Sequence, residues 1–191
     1  MKVKDIITSA LVLIGREDVA RSIEKDEESE TAYSLTAEEK ETVETLLYCF
    51  NSVEDELARC YFPLKAEEAL TSEDGVYSFS GFTKRPLKII SVTAKGKKIK
   101  FEADVRFLKT DAKEITVLYR YAPSKKSLDG ESAFGGEVSE RLVAAGTASE
   151  YCLICGEAAE AQAWESVYRG EIDRLRRKSI NRTSFPPRRW V

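Results

Sequence analysis

Residues 36–63 read TAEEKETVETLLYCFNSVEDELARCYFP, and the point where this pattern stops decides the fold. The opening TAEE fits a capping box, with Thr36 as N-cap and Glu39 three residues later. Val43, Leu46, Leu47, Phe50, Val53, Leu57 and Tyr61 then recur at spacings of three and four, the period of one helical face, over about seven turns. Pro63 ends the run, because proline has no N–H to donate. From Leu64 to Pro123 the period is two instead.

In that second block, Tyr77 and Phe79 alternate with Ser78 and Ser80 in VYSFSGF. PLKIISVTAKGKKIKFEAD reads as two strands around a Lys95-Gly96 turn, with Ile99, Phe101 and Ala103 set against Lys98, Lys100 and Glu102. VRFLKT is a short strand, and EITVLYRYAP puts Ile115, Val117, Tyr119 and Tyr121 on one face. Short antiparallel strands at this spacing predict a small sheet, sandwich or barrel.

Both flanks are helical. In the first segment Ile6, Ile7, Ala10, Leu11 and Ile14 share a face before Gly15, and residues 16–35 read as a long polar connection. SKKSLDGESAFGG is a turn-rich linker, and its glycine-rich end reads as a flexible hinge without the Lys-Ser/Thr of a phosphate loop. Helix is expected again from about Glu137, with Val138, Leu142, Ala145, Ser149 and Leu153 inward and Gly146 at a close-packing point. After Gly156 a last helix carries Trp164, Tyr168, Ile172 and Leu175 in register. The order predicts an α+β protein: a helical hairpin or bundle from the N- and C-terminal helices, an antiparallel β-rich insertion, and an extended C-terminal tail. The expected divisions are 1–62, 63–123, 124–180 and 181–191.

The formal net charge is only −3, but the charges are segregated. Glu24 to Glu56 holds twelve acids against Lys25 and Lys40, a balance of −10; Arg169 to Val191 holds eight basic residues against Glu171 and Asp173, a balance of +6. Such polarity lets copies attract one another end to end. The chain has no histidine, which excludes Ser-His-Asp and Cys-His nucleophilic machinery and histidine metal ligands. The opening MKVKDIITSALVLIG lacks a secretory pattern, and no apolar run approaches the roughly 20 residues of a membrane span. Cys49, Cys60, Cys152 and Cys155 are therefore expected as free thiols. Cys152-Leu153-Ile154-Cys155 lacks both the knuckle spacing of structural zinc and the surroundings of a redox pair, so it reads as helix packing. Runs such as Glu54-Asp55-Glu56 fan out around a helix and do not converge on a catalytic point. No enzyme activity and no cofactor are expected.

The chain ends NRTSFPPRRWV, with aromatic anchors and arginines but no helical or strand period. Its prolines favour an extended path that docks in a partner's groove. Phe185, Pro186, Pro187, Arg188, Arg189 and Trp190 are the expected contacts.

Two stretches carry a resemblance. SEYCLICGEAAEAQAWESVYRGEIDRLRR resembles the C-terminal helices of tailed-bacteriophage head-to-tail connector (adaptor) proteins, and MKVKDIITSALVLIG resembles their first helix. Together with the tail, the match covers about a third of the chain and rests on pattern and order. The resemblance implies a structural virion protein, assembled in the host cytoplasm and located in the neck. Its partners would be the portal, further copies of itself in a ring that usually follows the portal's twelvefold symmetry, and tail or further neck proteins. Non-specific contact with DNA in the channel is also implied, and no membrane. Residues 184–191 take the family's portal-docking position. Glu38, Glu41, Glu54 and Asp55 facing Arg174, Arg176 and Arg177 of a neighbour are the expected subunit contact. The competing expectation is a nucleic-acid-binding module using the basic last helix and tail.

Overall fold

The structure, a computed structural model, describes residues 1–25, 35–136 and 138–181, and these form an α+β protein. The chain divides into two compact units: Met1–Glu54 with Lys125–Val191, and Asp55–Ser124 between them. The division falls inside the long helix, before Pro63.

The first unit contains α1 (Val3–Leu13), α2 (Glu17–Lys25), α3 (Ala37–Glu56) as far as Glu54, α4 (Glu140–Ile154) and α5 (Ala158–Asn181). The capping box at α3 is formed: Thr36 N–H donates to Glu39 Oε2 at 2.7 Å, and Glu39 N–H donates to Thr36 Oγ1 at 3.3 Å. Past Glu56 the helix widens into a π-helical turn, Leu57–Tyr61, before Pro63. Helix α2 lies where a polar connection was expected. Its few apolar residues are nonetheless spaced to bury Val19, Ala20 and Ile23.

Helix α4 is the centre of this unit. Every residue from Leu142 to Ser149 is buried, and the helix packs against both α1 and α5. A helix buried on all sides needs small residues where neighbours come close, and LVAAGTAS supplies them. A Cβ on Gly146 would sit 2.9 Å from the Tyr168 ring and 3.0 Å from Val53 Cγ1, so α3, α4 and α5 converge there. Helix α4 begins at Glu140, because Ser139 Oγ caps it by accepting the Leu142 N–H at 3.2 Å. Leu153, expected inward, is 62% exposed.

The supposed flexible hinge is held in place. Val3 N–H donates to Gly130 O, and Ser132 N–H donates to Met1 O, both at 2.9 Å. Asn51 brackets Lys126, accepting its N–H at 2.7 Å and donating to its carbonyl at 3.2 Å. Glu54 Oε1 accepts from both Ser132 Oγ and the Ala133 N–H at 2.7 Å. Composition alone missed this, because the hydrogen-bond partners lie far away in the chain, 75 to 79 residues for Asn51 and Glu54 and further still for Met1 and Val3.

The second unit has two separate sheets, which do not close into a barrel. One is four-stranded, in the order β1 (Lys65–Thr71), β7 (Glu114–Tyr121), β3 (Pro86–Ala94), β4 (Lys97–Lys98). The other is three-stranded, in the order β2 (Val76–Ser78), β6 (Phe107–Lys109), β5 (Glu102–Ala103). All described pairings are antiparallel. Alternation on β7 holds, with Ile115, Val117 and Tyr119 buried. They meet Tyr77, Phe82, Val92 and Leu108 in one core. The Lys95-Gly96 turn is present with φ of 50° and 76°, both left-handed as a two-residue hairpin requires. The strand after it splits, β4 staying in the first sheet and β5 joining the second. Glu68 ties this unit together. Its carboxylate accepts from Tyr119 Oη at 2.8 Å and from Thr83 Oγ1 at 2.7 Å.

Candidate assembly surfaces

Helix directions in the first unit follow from three contacts. Tyr151 of α4 lies within hydrogen-bonding reach of Thr42 of α3, whereas Gly146 faces Val53, so α3 and α4 are antiparallel. Ser149 Oγ donates to Ala161 O at 2.9 Å, whereas Gly146 faces Tyr168, so α4 and α5 are antiparallel as well. The start of α3 therefore lies beside the α4–α5 turn. Helix α5 has 24 residues against 15 in α4, so its last turns run past the start of α4. At a rise of about 1.5 Å per residue, those turns are roughly 27 Å from the beginning of α5.

This geometry sorts the candidate contact residues. Glu38 and Glu41 are exposed at the turn end, with Arg16 as a loose 3.8 Å partner for Glu38. Arg176 and Arg177 are exposed at the opposite end, outside the ion pairs among the described residues. Arg174 is already paired with Glu171 one turn back. Asp55 is paired with Arg59. Glu54 is a correction: it is 1% exposed and spends Oε1 on Ser132 and Ala133, so it is not a surface charge. Its helical position resembles that of the exposed acids around it, and only the docked loop distinguishes it. Residues 185–190, the expected portal contacts, lie outside the described residues.

Leu153 and Ile154 were missed as surface residues. They are 62% and 54% exposed at the α4–α5 turn, the end that also carries Glu38 and Glu41. Their one sequence signal is Gly156 (φ 83°), which ends the helix before a further turn can cover them. Two exposed aliphatic side chains therefore sit at the same end of the unit as these acids.

The thiols are free. Burial pushes Cys49 up to about 12 and Cys152 up to about 11, with nearby carboxylates adding to both. At neutral pH such buried thiols are protonated and unreactive, in keeping with packing for Cys49 and Cys152, whereas Cys155, also read as packed, is exposed, as is Cys60. Among the described residues, the group able to offer metal ligands together is Cys152, Glu157 and Glu160, whose ligand atoms lie within 4.8 Å of one another. No helix among the described residues is long and apolar enough to cross a membrane. No family model and no curated protein matches the chain.

Proposed function

We propose that the protein is a structural component of a phage neck, a head-to-tail connector whose copies close into a ring against a portal. The observation that carries this reading is the polarity of the helical unit: acids and exposed aliphatics at the α4–α5 turn, and at the far end of α5 arginines outside the ion pairs among the described residues. A ring needs heterologous contacts, one patch against a different patch on the next copy. Opposite charges at opposite ends supply such a pair. The unit is also built from both ends of the chain around an inserted β-unit, the arrangement carried by the resembling stretches.

Two experiments test the proposal. Purified protein is mixed with portal rings and imaged by electron microscopy, with and without residues 184–191. The full chain is expected to decorate the rings and the truncated chain to lose binding. Undiminished binding by the truncated chain would remove the docking role of the tail. Separately, Arg176→Glu with Arg177→Glu is expected to weaken assembly in low salt, measured by sedimentation. Added salt should weaken wild-type assembly in the same direction, since exposed charges are screened beyond about 10 Å at 0.1 M. Unchanged assembly of the double variant would rule out these arginines as the basic half of the contact.

A further inference from the structure

The inserted β-unit carries a second concentration of charge, independent of the helical ends. Residues 84–100 contain seven basic residues and no acid. Lys84 is used internally, donating to Tyr121 Oη and lying over its ring. Arg85 and Lys88 lie at the start of β3, and the other four gather at its far end, around the β3–β4 hairpin. Lys95, Lys97, Lys98 and Lys100 are all exposed, on the turn and the chain leaving it. The fold adds two more from distant sequence. Lys113 lines the same concave surface as Lys95, and Lys109 lines the same one as Lys100. Glu102, Asp111 and Glu114 border these surfaces, yet none of the six ammonium groups is in an ion pair among the described residues. The turn itself places Lys95 at φ 50°, a conformation that asparagine or glycine takes more readily.

We infer that this lysine-bearing end of the β-unit binds the phosphate backbone of double-stranded nucleic acid, without sequence preference. Three features favour phosphates over an acidic protein face. The six charges are all lysine, the residue depleted from protein–protein interfaces, where arginine is enriched. A compact ammonium on a flexible stem follows phosphates at variable positions and needs no fixed fork geometry. The Lys95-Gly96 turn offers no large apolar side chain, whereas backbone binding needs only unpaired cations and counterion release. The surface differs from the basic end of α5, and the inference does not rest on ring formation or portal docking.

The test uses the full chain and a short DNA duplex of arbitrary sequence, with affinity measured by fluorescence anisotropy over a salt series. Wild-type affinity is expected to fall steeply with salt. The variant Lys97→Gln, Lys98→Gln, Lys100→Gln alters only exposed side chains, and a wild-type melting curve confirms its fold. Each lost phosphate contact reduces the log–log salt slope by about 0.9, so the triple variant should lose about 2–3 in slope and roughly tenfold or more in affinity at about 50 mM salt. Arg176→Gln with Arg177→Gln should leave the slope unchanged. The inference is overturned if wild type shows no DNA binding at low salt. It is also overturned if the loss follows the α5 variant instead, or if the triple variant loses self-association while keeping its DNA slope. Portal binding, assayed separately, tells failure here from failure of the connector reading.

Discussion

Replacing Gly75 with alanine is expected to disrupt the three-stranded sheet and destabilise the β-unit by about 3–4 kcal/mol, among the larger effects of a single substitution. Two causes combine. Gly75 has φ of 73°, a left-handed conformation that costs a residue with a Cβ about 1–2 kcal/mol. A Cβ there would also lie 2.1 Å from the carbonyl oxygen of Thr110, a backbone atom that cannot rotate away. The same two residues are joined by the Thr110 N–H donating to Gly75 O at 3.0 Å, just beyond the β2–β6 pairing. Relieving the clash therefore pulls these strands apart. Urea unfolding measures the loss, and hydrogen exchange at Val76–Ser78 and Phe107–Lys109 locates it. Gly75→Asn separates the causes, since asparagine tolerates the backbone angle but keeps the Cβ. It should remain close to the alanine variant. Wild-type stability of Gly75→Ala would show that this close approach is not in the folded protein.

The second large effect is expected at Gly146, where helix preference and packing oppose each other. In an exposed helix, alanine would be better than glycine by about 1 kcal/mol. Here the added carbon meets the Tyr168 ring at 2.9 Å and Val53 at 3.0 Å, and both residues are almost fully buried. Overpacking of this kind costs about 1–3 kcal/mol and more for larger side chains. Gly146→Ala should therefore lose about 1–2 kcal/mol, and Gly146→Leu should lose the cooperative melt of the helical unit altogether. The double variant Gly146→Ala, Tyr168→Leu provides the control. Removing the ring removes the clash, so its loss should be smaller than the two single losses added. Strict additivity in thermal or urea melts would place the cost elsewhere.

Much of the architecture was legible because its signals are local. The capping box at Thr36, the apolar face of α3, the Lys95-Gly96 hairpin and the alternation on β7 each depend on residues close together in the chain. Periodicity and turn chemistry report such features directly. Helix α2 escaped because a short, strongly polar helix looks like a connection until its three apolar residues are seen to be buried. The hinge reading of residues 130–137 missed the bonds that hold residues 130–133, because glycine and serine content is silent on whether distant groups will bind that backbone. Which of the expected contact residues stay exposed was legible only in part, for the same reason. Glu38, Glu41, Arg176 and Arg177 are exposed, whereas Glu54, Asp55 and Arg174 are taken by partners within the protein.

The sequence by itself determined the α+β class, the order of helices and strands, the close-packing role of Gly146 and the segregation of charge, since each is a property of spacing or composition. Only the tertiary structure decided which of those charges remain free. It set the acidic and basic ends of the helical unit apart, buried Glu54 against a loop 78 residues away, and brought Lys109 and Lys113 beside the hairpin lysines. The physical reason is that a charge acts through what surrounds it. Its partners are chosen by antiparallel helix packing and strand register, which bring together residues that have no relation along the chain.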